Sequence, residues 1–162
     1  NLSDWSVHLY NGTNEVWSTN QTSHGKSSTP TPTGLYTVFS KVGGNDSSGA
    51  NLAGQASDRS NGGVPNVIST ANPNSNPNGG VCMPNPGPDT AEGAPSAWLC
   101  NIHYVTYWGQ GGYAFHEAWW LNPTGSNALN AGISHGCINM EKSDAATVYN
   151  FAQIGTPVWV HN

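Results

Sequence analysis

The sequence predicts a mainly β domain with one helix, and three observations carry that expectation. Short β-branched and aromatic runs recur along the chain, each bounded by Gly, Pro or Asn punctuation. One stretch, near the C-terminus, repeats its apolar residues at helical spacing. Seven Trp, six Tyr and three Phe supply enough large side chains to order a small core despite the low charge content. The length of 162 residues fits a single domain spanning 1–162.

Asp4 to Tyr10 and Thr13 to Thr19 are β-prone, and Asn11-Gly12 between them predicts a hairpin turn. Pro30, Pro32 and Gly34 lead into a strand over Leu35 to Phe39. Residues 42–96 are dominated by Gly, Asn, Ser and Pro without a sustained apolar period, so they read as a long loop-rich insertion rather than core. Strand character resumes over Trp98 to Trp108, and Tyr113 to Leu121 is an aromatic segment suited to a core or a cleft wall. A helix is expected from Asp144 to Gln153, with Ser143 as N-cap, Asp144 in the first turn and Gly155 at the stop. Its apolar face is Ala145, Val148, Tyr149 and Ala152. Pro157-Val158-Trp159-Val160 reads as a closing strand.

Four Lys and Arg stand against nine Asp and Glu, a formal net charge of -5. No basic stripe for nucleic acid or anionic lipid is available, and no apolar run is long enough for a membrane span. The chain is expected to be a mature, processed, soluble protein, secreted or extracytoplasmic. Three cysteines allow one disulfide. Pairing Cys82 with Cys100 would tie a loop to a strand, contribute about 3 kcal/mol by chain entropy, and leave Cys137 as the free thiol.

That thiol sits in Ile133-Ser134-His135-Gly136-Cys137-Ile138-Asn139, beside a glycine, a histidine and hydrogen-bonding side chains. A cysteine nucleophile needs a base to take its proton and backbone donors aimed at the oxyanion formed on a carbonyl. Gly136 would let the backbone turn tightly enough to bring amides to the substrate. A buried Cys in a tight turn beside a packed His is the plain structural alternative.

His116, then seventeen residues, then Ser134-His135-Gly136-Cys137 with Asn139 following, resembles the signature of the L,D-transpeptidase catalytic-domain family of peptidoglycan enzymes. Thr31-Pro32-Thr33-Gly34 and Gly155-Thr156-Pro157-Val158 are similar to two further segments of that family. The resemblance implies a sandwich-like β domain with a packed helix and a Cys/His acyl-transfer site. It makes Cys137 the nucleophile and His116 the general base, with the main-chain carbonyl of Glu117 orienting the imidazole. The amides of Gly136 and Cys137 would form the oxyanion hole, and His135, Ser134 and Asn139 would shape the site. The implied substrate is a peptidoglycan stem peptide: Cys137 attacks an L-centre/D-centre bond, terminal D-alanine leaves, and the thioester passes to an amine. Carbapenem-type β-lactams would then be covalent inhibitors, because a strained lactam carbonyl mimics the acyl donor.

Water in place of the amine would make the same site an L,D-carboxypeptidase or another peptidoglycan hydrolase, a freely diffusing role that the acidic balance suits. A non-catalytic wall-binding module is a third reading, against which the intact His116 and Cys137 argue. Zinc held by Cys137, His116 and His135 is the rival chemistry, but there is no Cys-x-x-Cys pair, and His116-Glu117-Ala118-Trp119-Trp120 lacks the second histidine of a metalloprotease helix. No cofactor or metal is expected. Trp120 and Tyr113 are candidate walls for substrate, with core packing as the competing role for each. His103 could face the site if its strand borders it.

Overall fold

The computed structural model describes residues 1–44, 102–118 and 129–162, together with the backbone of 81–84 and 98–101. The expected mainly β architecture is found, with a single helix among the described residues. The predicted hairpin is β1 (Val7–Asn11) with β2 (Asn14–Thr19). Its turn falls one residue later than expected, on Gly12-Thr13, because Asn11 pairs with Asn14. Gly12 takes φ 63, as the first central residue of a hairpin turn of this hand requires.

A six-stranded sheet forms the centre. Its strands are β3 (Thr22–Gly25), β5 (Ser40–Val42), β8 (Val105–Gly109), β9 (Tyr113–Glu117), β10 (Gly132–Ser134) and β11 (Ile138–Met140), in the order β10-β3-β11-β9-β8-β5. A two-stranded sheet of β4 (Gly34–Thr37) and β12 (Pro157–Val160) packs against it through Tyr36, whose ring meets that of Trp108 at 4.9 Å. The helix α1 (Lys142–Phe151) also faces the central sheet.

The strand expected over Leu35 to Phe39 divides at Val38. Gly34–Thr37 pairs with β12, whereas Ser40–Val42 pairs with β8. Val38, only 1% exposed, bonds the Gly155-Thr156 turn through both its N–H and its carbonyl, so the chain crosses between sheets there without stranding backbone polar groups. The strand expected over Trp98 to Trp108 is likewise two, β7 (Trp98–Ile102) and β8, separated at Tyr104, which adopts φ 55. A left-handed aromatic residue costs of order 1 kcal/mol and persists only where the surroundings impose it. Here the Tyr104 amide donates to Gly43 and its ring packs in the core against Tyr149. The 42–96 stretch is not wholly loop. Val42 is fully buried, and β6 (Val81–Pro84) pairs antiparallel with β7. Cys82 and Cys100 lie on these two strands, but their side chains, and with them the expected disulfide, fall outside the described residues.

The helix begins two residues earlier than expected. Glu141, not Ser143, occupies the N-cap position and makes no side-chain capping bond. The reason is packing: β11 ends at Met140, and the buried Ala145 and Val148 fix the helix's rotation on the sheet, so the first turn follows directly. Ala145, Val148 and Ala152 join Phe115, Ile138, Met140 and Trp108 in one core, with Tyr149 half-buried at its rim.

Trp108, 2% exposed, touches the rings of Tyr36, Tyr113 and Phe115 and so links both sheets. Trp108→Ala is expected to lower the unfolding free energy by about 3–5 kcal/mol. Val16→Ala, at a position 53% exposed, should change it by less than about 0.5 kcal/mol. Urea titration of the two variants measures the contrast.

Candidate active site

Strands β9 and β11 are parallel neighbours, with Ile138 opposite Phe115, Asn139 opposite His116 and Met140 opposite Glu117. Side chains alternate along a strand, so the core residues Phe115, Ile138 and Met140 define the helix-covered face, and His116 and Asn139 project to the other. Cys137 lies in the bend just before β11, and its sulfur meets the Gly112 carbonyl and the Ala114 amide at the start of β9, the strand that carries His116 two residues beyond Ala114.

Each of the two groups is oriented by backbone. His116, 4% exposed, holds its Nδ1 2.7 Å from the carbonyl oxygen of Glu117. A carbonyl can only accept, so Nδ1 carries the proton and Nε2 is the basic nitrogen. Burial drives the His116 pKa down to about 4, against smaller opposing effects of the Glu117 carbonyl and the Glu117 charge. Cys137 is a free thiol, half-buried, and its Sγ donates to the carbonyl of Gly112 at 3.5 Å. Burial pushes this thiol up to about 11, offset in part by the amide of Ala114. At neutral pH both groups are therefore uncharged.

The turn that carries Cys137 is clamped from inside. Ser134 Oγ donates to the Cys137 carbonyl at 2.6 Å and accepts from the Gly136 amide at 3.0 Å. The Ser134 hydroxyl thus shapes the turn, and the Gly136 amide, expected in an oxyanion hole, is already engaged. Gly136 sits at φ 113 with its α-carbon against the Tyr113 ring, where a methyl group would overlap ring atoms. The Tyr113 ring also stacks on that of Trp108, with centroids 5.8 Å apart. Tyr113 is half-buried and acts here as a wall under the turn. His135 is half-buried in the same turn, and Asn139 is 3% exposed beside His116. Trp120, like Trp119, lies outside the described residues. Among the described residues no group of three or more His, Cys, Asp or Glu side chains could hold a metal ion.

Three contributors were not singled out from the sequence. Thr31, 5% exposed, accepts from the Gly25 amide and donates to the Gly136 carbonyl, each at 2.9 Å, tying β3 to the turn. The carbonyl of Gly112 accepts the thiol's hydrogen bond. The carboxylate of Glu117 is buried against His103. Only the first carried a signal, since Thr31 opens Thr31-Pro32-Thr33-Gly34.

Thr31→Val keeps the shape but strands two buried backbone groups, which is expected to cost about 1–3 kcal/mol for each. Thr31→Ser should restore most of the loss, with amide exchange of residues 134–137 following the same order. The lowered pKa of His116 also has a stability consequence. The unfolded imidazole takes its proton near pH 6.5 and the folded one only near pH 4. The contribution is therefore complete above about pH 6.5 and is lost as pH falls toward 4, by on the order of 3 kcal/mol. Urea curves at pH 7 and pH 4 should show this drop in the native chain and a smaller one in His116→Gln; equal drops would contradict it.

The comparisons with known proteins agree with this geometry. The L,D-transpeptidase catalytic domain (YkuD) family matches residues 1–160. An L,D-transpeptidase from Mycobacterium smegmatis superposes with a TM-score of 0.65 at 20% identity, covering 99% of this chain and 56% of that one. LD transpeptidase LdtMt1 in complex with imipenem gives 0.63 at 21% identity, covering 99% and 56%. The Ldtfm-avibactam carbamoyl enzyme gives 0.60 at 20% identity, covering 99% and 46%. The chain thus spans about half the length of these structures, and the likeness establishes a shared fold. No curated protein matches the sequence. With the family matched over nearly all of its length, the chain belongs to the L,D-transpeptidase catalytic domain family.

Proposed function

We propose that this chain is the catalytic domain of an extracytoplasmic L,D-transpeptidase acting on peptidoglycan stem peptides, with Cys137 as nucleophile and His116 as general base. The observation that supports the reading is the contact of the Cys137 sulfur with the start of β9, the strand that also carries His116. The tautomer fixed by Glu117 leaves Nε2 as the basic nitrogen.

With His116 at about 4 and Cys137 at about 11, the resting pair is neutral thiol and neutral imidazole. The thiol hydrogen bond points at the Gly112 carbonyl and must turn to His116 Nε2, which takes the proton as sulfur attacks the carbonyl carbon of the L-centre/D-centre bond. The tetrahedral oxyanion that forms needs donors. The Cys137 amide suits this role better than the Gly136 amide, which Ser134 already holds. An imidazolium of such low pKa is a strong acid, so it readily returns the proton to the departing nitrogen; the carbon–nitrogen bond breaks, D-alanine leaves, and a thioester remains. A second stem's amine then attacks the thioester, Cys137 regains its proton, and the cross-link is complete. His135 and Asn139 border the path that such a peptide would take. The complexes of related enzymes with imipenem and avibactam support the parallel expectation that a carbapenem acylates Cys137.

Mass spectrometry of stem-tetrapeptide muropeptides incubated with the protein tests the proposal. Cross-linked dimers and free D-alanine are expected from the native chain and neither from Cys137→Ala, while imipenem should add once to the native chain and not to the variant. Equal activity in Cys137→Ala would exclude the mechanism. Shortened monomers alone would make the enzyme a carboxypeptidase, and unchanged muropeptides a binding module.

A further inference from the structure

The geometry points to His103 and Glu117 as a buried pair of positioning residues that hold the His116 imidazole from the opposite face of the sheet. The inference rests on the reading of His116 as the base, but it concerns groups that the transfer reaction itself does not touch.

Glu117 is bound at both ends. Its amide donates to the His103 carbonyl at 3.1 Å, and its Oε2 accepts from the His103 amide at 3.2 Å. The same Oε2 lies 2.5 Å from His103 Nδ1. Its carbonyl accepts the Nδ1 proton of His116 at 2.7 Å. Both side chains are nearly dry, with His103 5% and Glu117 6% exposed. In so apolar a setting a carboxylate is costly unless its acceptors are satisfied, so the pair persists for its hydrogen bonds, which fix Glu117 at its amide and its carboxylate and so steady the residue whose carbonyl meets His116.

Alternation along β9 explains why this acts across the sheet. His116 projects to the site, whereas Glu117, in phase with Phe115, projects toward the helix-covered core. The carboxylate therefore bears on the imidazole through space, as a favourable charge, while Nδ1 donates its hydrogen bond to the Glu117 carbonyl. The left-handed Tyr104, φ 55, turns the chain just after His103, where the ring and the amide of that residue meet one carboxylate oxygen. The Ala118 amide, donating to the Met140 carbonyl at 2.9 Å, holds the far end of the peptide that carries the Glu117 carbonyl; the buried pair holds Glu117 itself, and pre-orientation of this kind is what a general base requires.

The test compares His103→Leu, His103→Asn and Glu117→Gln with the native chain by two readouts. Nitrogen-15 NMR of the His116 ring reports its tautomer and the slow exchange of its Nδ1 proton, whether or not the protein transfers acyl groups. Imipenem acylation kinetics separate the limiting rate from the half-saturating concentration. His103→Leu is expected to lose the protected Nδ1 resonance and to slow the limiting rate by about tenfold or more with half-saturation unchanged. His103→Asn supplies a donor near the position of Nδ1, and Glu117→Gln retains an acceptor, so each should recover the resonance and come within about threefold of the native rate. Should His103→Leu fail to fold, the two conservative variants carry the test, because loss of the resonance in both would overturn the assignment. An unchanged His116 resonance in folded His103→Leu would also overturn it, whatever the rate. A native chain that imipenem does not acylate, but whose resonance responds as expected, would sink the proposed function and leave the positioning role standing.

Discussion

The register between β9 and β11 is the constraint on which the rest depends. Asn139 opposite His116 brings the thiol-bearing turn to the histidine's strand and puts Phe115, Ile138 and Met140 under the helix. A slip of one residue would turn His116 into the core and expose its apolar neighbours. Apolar burial on one side of the sheet therefore determines the chemistry on the other. Met140 is fully buried and Ile138 is 4% exposed, so the pairing has little freedom to slide.

The same burial sets the electrostatic character of the site. Both candidate reacting groups are shielded from water, which favours their neutral forms; backbone groups, the Glu117 and Gly112 carbonyls and the Ala114 amide, hydrogen-bond them, and the Glu117 charge acts on His116 through space. Backbone groups of this kind orient without adding a full charge. The charged side chain nearest the histidine in sequence, that of Glu117, faces the far side of the sheet and is joined to His103. An uncharged resting pair and a sequestered carboxylate are two results of one alternating strand.

Much of this was legible in the residues themselves. The first hairpin, the closing strand and the helix carry local signals, and each appears within about three residues of its expected position. The spacing from His116 to Cys137 led to the family. Less could be read where distant partners decide. The break at Val38 reflects bonds to Gly155 and Thr156, and the break after Ile102 reflects the bond from Tyr104 to Gly43. The start of the helix answers to packing against Met140 rather than to the capping preference of Ser143. The Glu117 carboxylate was equally hidden, because its partner is 14 residues away and no periodicity announces the contact. The part of Gly136 was visible as a need for a tight turn, but not that Ser134 would occupy its amide.

Thr31 and Gly136 are 105 positions apart, as are Thr29 and Ser134, yet these pairs hold the cysteine's turn in shape. The thiol's surroundings are consequently a product of late, long-range closure. Residues up to Gly136 must have left the ribosome before Thr31 can find its acceptor, so the cysteine that follows is made before its turn can close. Its surroundings would thus take shape only as the sheet is completed.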